Sequence, residues 1–253
     1  MIEALALAGA NVEGALIRRQ DGVALIATGL PLRIFNQVLV DGDRATPAAI
    51  TSAVDRTRER GDRFVVSLRQ GPDDRFIPLM EQLGLVTLSD DPWLPGMALD
   101  PLPVGAPAAL PGHEIRPVTD VAGLEDHILT AAGGFDLQPD WLRAIMGMSL
   151  VENPRATVYV GYTDGQPVST GFGLRMGRTI GIYNISTLPT ARRRGYGEAM
   201  TMRIVADGAA ADCDVATLEA SEMGYPIYAR LGFRTVADYM AYVDPASIAP
   251  TPD

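Results

Sequence analysis

The chain has 253 residues, enough for one large domain or two ordinary ones, either with a proper core. Its 31 acidic and 21 basic residues leave a net charge of −10. That balance argues against a nucleic-acid partner, which needs a basic footprint, and is compatible with a cationic amine substrate. Every basic residue is arginine, and no apolar run reaches the ~20 residues needed to cross a bilayer. The N-terminus lacks the basic segment of a signal peptide, and the lone Cys213 rules out an internal disulfide framework. Together these features predict a cytoplasmic protein with no membrane partner.

In chain order, Phe64-Val65-Val66-Ser67-Leu68 reads as the first clear strand, and a short segment follows from Pro78 to Leu85. That segment has a counterpart. Pro78-Leu79-Met80-Glu81-Gln82-Leu83-Gly84-Leu85 lines up with Pro226-Ile227-Tyr228-Ala229-Arg230-Leu231-Gly232-Phe233. The same spacing places Ile34-Phe35-Asn36 on Ile182-Tyr183-Asn184. Two coincidences at one spacing predict two copies of one fold in tandem. Between them, residues 101–113 carry Pro101, Pro103, Pro107 and Pro111 and read as an extended linker.

After the linker, Glu114–Val118 reads as a strand, and Val121–Ala132 and Pro139–Leu150 as helices. Thr157–Tyr162 and Pro167–Leu174 read as a hairpin turning at Asp164-Gly165. A central strand ends at Pro189, a helix is expected over 196–211, a strand over 215–220, then a short helix, with closing strands in 234–243. The expected segmentation is a first domain over 1–100, the linker 101–113, a second domain over 114–245 and a flexible tail over 246–253.

The loop from the central strand into the helix reads Arg192-Arg193-Arg194-Gly195-Tyr196-Gly197. Its two glycines let the backbone approach a ligand without Cβ obstruction, and the unpaired N–H groups of the new helix face that ligand. This is a phosphate cradle. It is not a Walker loop, which needs Gly-Lys-Ser/Thr, nor a dinucleotide fingerprint, which needs Gly-x-Gly-x-x-Gly.

The loop resembles the acyl-CoA loop of the GNAT acetyltransferase superfamily, Arg/Gln-x-x-Gly-x-Gly/Ala, matched by Arg192, Gly195 and Gly197. Leu218-Glu219-Ala220-Ser221 followed by Tyr225 to Phe233 resembles the family's second signature, a strand and a short helix ending Tyr-x-x-x-Gly-Phe. The resemblance covers roughly residues 114 to 243. It implies an α+β fold of two tandem GNAT-like domains, each a mostly antiparallel sheet flanked by helices. It also implies acetyl-CoA as co-substrate, an amine-bearing small molecule or peptide as acceptor, direct attack in a ternary complex, and no metal.

By that resemblance, Ile185, Ser186 and Thr187 pair their backbone with the pantetheine arm. Arg192, Arg193, Arg194, Gly195, Tyr196 and Gly197 hold the pyrophosphate. Tyr228 is the implied general acid, facing the sulfur of CoA. Glu219 and Glu222 are the nearest acidic candidates for the base that must deprotonate an amine of ordinary pKa about 10. Many family members carry asparagine where this chain reads Glu222-Met223-Gly224. Phe135, Asp136, Trp141 and Met146 fall where acceptor-side helices lie.

The first copy departs from the pattern. Asp41-Gly42-Asp43-Arg44-Ala45-Thr46-Pro47 puts two aspartates where a phosphate would sit, and Met80 takes the place of Tyr228. Residues 1–100 therefore read as a degenerate, non-catalytic half. His113 falls in the linker and His127 in mid-helix, half exposed; with one cysteine they make no metal site. Cys213 reads as a small buried residue. Two alternatives stay open: a non-catalytic acyl-CoA-binding sensor or partner protein, and a transferase of another acyl group. Neither the acceptor nor the oligomeric state is legible.

Overall fold

The computed structural model describes residues 1–88, 94–103, 105 and 109–248. In chain order the elements are α1 (Ile2–Gly9), β1 (Leu16–Gln20), β2 (Val23–Ala27), β3 (Asn36–Val40), α2 (Pro47–Arg60), β4 (Val65–Arg69), α3 (Ile77–Gln82), β5 (Val86–Thr87), β6 (Gly96–Leu99) and β7 (His113–Pro117). They continue with α4 (Val121–Phe135), α5 (Pro139–Ile145), α6 (Met148–Val151), β8 (Ala156–Thr163), β9 (Gln166–Met176), β10 (Thr179–Thr187), α7 (Tyr196–Ala210), β11 (Val215–Glu219), α8 (Tyr225–Arg230), β12 (Arg234–Ala237) and β13 (Tyr239–Val243). This is a mixed α/β fold of two sheets flanked by helices. Among the described residues no helix is long and apolar enough to cross a membrane.

The chain divides into two compact units, residues 1–96 with 235–253, and residues 97–234. The first holds a six-stranded sheet in the order β1-β2-β3-β4-β13-β5. Among the described residues its one parallel pair, β3 with β4, is joined by α2, as a crossover requires. The core on one face gathers Ile50 and Val54 of α2 with Leu25, Val38, Phe64, Val66, Met80 and Tyr242.

The second unit is built on a seven-stranded sheet in the order β12-β6-β11-β10-β9-β8-β7. Strands β7 to β10 form an antiparallel meander. Its β8–β9 turn places Asp164 and Gly165 at φ 49° and 73°, the doubly left-handed pair a two-residue hairpin needs. β10 then pairs with β11 in parallel, with α7 as the crossover. Met200 and Ile204 of α7 pack into a core with Ile182, Ala216, Leu218, Tyr228 and Phe233.

The segmentation expected from sequence is revised at both ends of the second domain. The last strand, β13, pairs with β4 and β5 of the first sheet, whereas β6, upstream of the proline-rich stretch, lies beside β11 in the second. Each sheet thus takes its strand from the far side of a boundary that chain order alone suggests. Leu102, at the start of the expected linker, is buried in the second core, and its N–H bonds to the Asp214 carbonyl at 3.2 Å. Residues 104 and 106–108 of the linker and 249–253 of the expected tail lie outside the described residues.

The helix expected over Pro139–Leu150 is broken in two. Met146 takes an extended conformation and Gly147 caps the short helix that follows. Of the two repeat anchors, the helical one has a structural counterpart: α3 and α8 are six-residue helices in matching places. The other does not. Ile34 and Phe35 sit in a 3₁₀ turn and Asn36 opens β3, whereas Ile182 to Asn184 lie deep inside β10.

Candidate functional site

Two features of β10 open a groove in the second sheet. Its parallel pairing with β11 stops after Gly181↔Thr217, although β10 runs on to Thr187. Its antiparallel register with β9 also shifts between Tyr183 and Ser186. A bulge of this kind adds a residue and bends the strand. Asn184, inside it, adopts φ 56°, which asparagine tolerates better than other non-glycine residues. Beyond the bulge, the Leu188 N–H bonds to the Val168 carbonyl at 3.0 Å. Backbone alternation therefore turns the N–H groups of Thr187 and Ile185 the other way, toward the edge that β11 has left.

The turn after β10 ends in an open row of donors. Gly195 caps α7 at φ 84° with no side-chain cap. The first bond of the helix runs from the Ala199 N–H to the Gly195 carbonyl at 2.9 Å. Among the described residues, the N–H groups of 193 to 198 have no acceptor. Six free donors at a 15-residue helix start make a strong anion cradle. A Cβ on Gly197 would lie 3.7 Å from Thr187 Oγ1 and 3.8 Å from Ile185 Cγ2, so the bare glycine faces the groove.

The three arginines of the loop divide their work. Arg192, expected at the phosphate, donates through Nη2 to the Gly134 carbonyl at 2.8 Å and through Nε to the Thr187 carbonyl at 3.3 Å, tying the loop to α4 and β10. With Thr163, Arg194 lies beside the Tyr196 phenol and helps to lower its pKa. Arg193, held at φ 62°, is exposed and has no partner among the described residues. The Tyr196 ring is buried and stacked on His113 at 4.3 Å, so it is held away from the cradle, which its backbone faces. Ser186 is buried too, its hydroxyl pressed toward Gly134 and without a partner.

Below the cradle, Thr201 Oγ1 donates to the Gly197 carbonyl at 2.8 Å, and Thr201 lies close enough to the Tyr228 phenol to oppose its upward pKa shift. Arg230 of α8 pairs with Glu198 in the first turn of α7 at 2.8 Å. Contacts thus run from Ile185 and Thr187 through Gly197 and Thr201 to Tyr228. Burial pushes the Tyr228 phenol up to about 12. Glu219, at the end of β11, is also raised by burial. Glu222 is exposed in the loop before α8 and is not brought into this chain of contacts.

The two histidines are placed differently from expectation. His113 opens β7 instead of lying in a linker, with Nδ1 3.2 Å from Thr163 Oγ1. His127 is fully buried, not half exposed. Its Nδ1 lies 2.9 Å from the Tyr159 carbonyl, and its Nε2 lies 2.7 Å from Asn184 Nδ2. The carbonyl needs a donor, so the proton is on Nδ1 and Nε2 accepts from the asparagine. Burial lowers this histidine to about 4. Its place was readable: Leu124, His127, Ile128 and Ala131 fall on one helical face.

Among the described residues the first unit has no such cradle. Pro47 at the start of α2 carries no N–H, and the Thr46 side chain accepts from the Ala49 N–H at 3.2 Å. The Asp41 N–H bonds to the Gly22 carbonyl at 2.7 Å and the Ala45 N–H to the Gly42 carbonyl at 3.4 Å. Met80 is fully buried where Tyr228 stands in the second unit.

Residues 122–225 match the family model described as an acetyltransferase (GNAT) domain. No curated protein matches the sequence. The fold is similar to that of a GCN5-related N-acetyltransferase from Kribbella flavida, at TM-score 0.71 and 16% identity over 96% of this chain and 94% of that one. It is also similar to a tandem GNAT protein from the clavulanic acid biosynthesis pathway, at 0.64 and 15% over 98% and 89%. A GCN5-related N-acetyltransferase from Sphaerobacter thermophilus gives 0.63 and 18% over 95% and 84%. Residues 122–225 therefore match a GNAT acetyltransferase domain, and along nearly its whole length the chain has a fold similar to those of these proteins, one of them a tandem GNAT protein.

Proposed function

We propose that the second unit transfers an acetyl group from acetyl-CoA to an amine on a small molecule or peptide, by direct attack in a ternary complex. The observation that carries this reading is the open row of N–H groups at 193–198, set above the unpaired edge of β10. The cradle takes the pyrophosphate, with Arg193 as the free cation at its mouth. The pantetheine arm adds to β10 as a strand, pairing with the backbone of Ile185, Ser186 and Thr187.

The amine nitrogen attacks the thioester carbonyl, forming the C–N bond and an oxyanion that a β10 N–H group stabilises. The C–S bond then breaks and CoA leaves as thiolate. Glu219 takes the proton of the amine; burial raises its carboxyl and makes it a stronger base than a solvated one. Burial favours the neutral form of the Tyr228 phenol, which keeps it a hydrogen-bond donor. Handing its proton fully to a thiolate of ordinary pKa about 8.5 is uphill by roughly 5 kcal/mol. Its contribution is a hydrogen bond to the departing sulfur, with the proton made good from solvent.

Calorimetric titration of acetyl-CoA into the wild type and Gly195→Trp tests the reading. One equivalent bound by the wild type and none by the variant is the expected result. Failure of the wild type to bind would overturn it. Binding without transfer to any amine in an acceptor screen is the outcome of an acyl-CoA-binding protein.

A further inference from the structure

The fully buried His127 side chain on α4 reaches Asn184 across the face of the sheet, at the bulge of β10. Asn184 is over-determined. Its amide donates to His127 Nε2 at 2.7 Å and also lies 3.4 Å from Met146 Sδ, and its carbonyl accepts from Thr170 Oγ1 at 3.0 Å. His127 is held in turn by the Tyr159 carbonyl of β8. Two turns along α4, Gly134 lies against Ser186; a Cβ there would fall 1.8 Å from the serine hydroxyl. The helix therefore clasps the bulge at both of its ends.

A left-handed residue inside a strand is strained and persists only where its surroundings hold it. Released, residue 184 returns to extended backbone and the strand slips by one position against β9. Such a slip exchanges the two edges for every residue beyond it. The N–H of Ile185 would then face β9 and no longer the groove.

We infer that His127 and Asn184 form a positioning pair that locks the β10 bulge, so that the Ile185 N–H is aimed at the thioester oxygen. The inference rests on the acetyl transfer proposed above. Neither side chain touches the cofactor; both act through the backbone. His127 suits this task because its Nε2 carries no proton, which leaves it a fixed acceptor for the asparagine amide.

The test is the carbonyl stretch of carbonyl-13C acetyl-CoA bound to the full chain, read by infrared difference spectroscopy beside calorimetric affinity. Wild type, His127→Phe, His127→Gln and Asn184→Gly are compared. Glycine adopts the left-handed conformation freely, so Asn184→Gly keeps the fold even if the phenylalanine variant does not. The expected result is binding by all four, because the cradle is untouched, with affinity lowered only in His127→Phe, where the slipped strand no longer pairs with the pantetheine arm. The wild type lowers the carbonyl frequency, and His127→Gln, which keeps an acceptor, retains the shift. His127→Phe returns it to the value of free acetyl-CoA, whereas Asn184→Gly, which stays left-handed without a lock, keeps the wild-type shift. A wild-type ligand with an unshifted carbonyl, a His127→Phe variant with the wild-type shift, or an Asn184→Gly variant without it, would overturn the inference and leave the cofactor site standing. Absence of wild-type binding would remove both.

Discussion

Gly195 and Gly197 look alike in the motif but meet different physical demands. Gly195 needs a left-handed backbone at φ 84°, so Gly195→Ala should cost about 1 kcal/mol of stability as well as affinity. Gly197 has an ordinary helical conformation and room for a Cβ. Gly197→Phe should keep the wild-type melting temperature while filling the groove over Ile185 and Thr187, and so abolish acetyl-CoA binding in the same calorimetric assay. Tyr228→Phe should lower kcat by about 100-fold with little change in acetyl-CoA affinity, since the phenol donates a hydrogen bond only to the charge developing on the departing sulfur. His127 is also a stability group. Its folded value of about 4 lies below the ordinary 6.5, so the unfolded chain binds more protons between these limits. Its contribution is complete above pH 6.5 and is lost as pH falls toward 4, by up to roughly 3 kcal/mol. Urea titrations at several pH values should show that slope in the wild type and not in His127→Gln.

At the scale of elements, what was legible in the sequence is what depends on neighbours along the chain. The hairpin at Asp164-Gly165, helix α7, strand β11 and the short helix α8 follow from turn residues and apolar spacing, and the structure places each of them within a residue or two of expectation. The break between α5 and α6 was signalled by Gly147 but was hidden by the apolar run on either side. The bulge in β10 had no signal in that strand-like stretch, because its cause lies elsewhere. Asn184 is left-handed because His127, Met146 and Thr170 hold it, and none of those is near it in sequence. The same holds for Arg192, whose partners are the carbonyls of Thr187 and Gly134. A short motif names the residues of a loop, but only packing decides whether a side chain faces the ligand or the scaffold.

For the whole molecule, the strand exchange has a measurable consequence. Ala241, Tyr242 and Val243 of β13 are 3%, 7% and 0% exposed, and the strand pairs with β4 and β5 of the first sheet. Burial of Tyr242 and Val243 contributes roughly 2–3 kcal/mol each, a large share of the stability of one domain. A chain ending at Ala237 should therefore leave the first unit sensitive to limited proteolysis, with cleavage mapped by mass spectrometry to residues 1–88. Protection equal to that of the intact chain would mean that β13 is dispensable. The sequence by itself determined the family resemblance, the tandem layout and the cradle, because each rests on short-range patterns of glycine, charge and apolar spacing. Only the tertiary structure decided which sheet receives the last strand, which loop donors are left unspent, and that a buried histidine braces the bulge. Those outcomes depend on residues brought together from distant parts of the chain, and the free energy of such contacts has no signature at any one position.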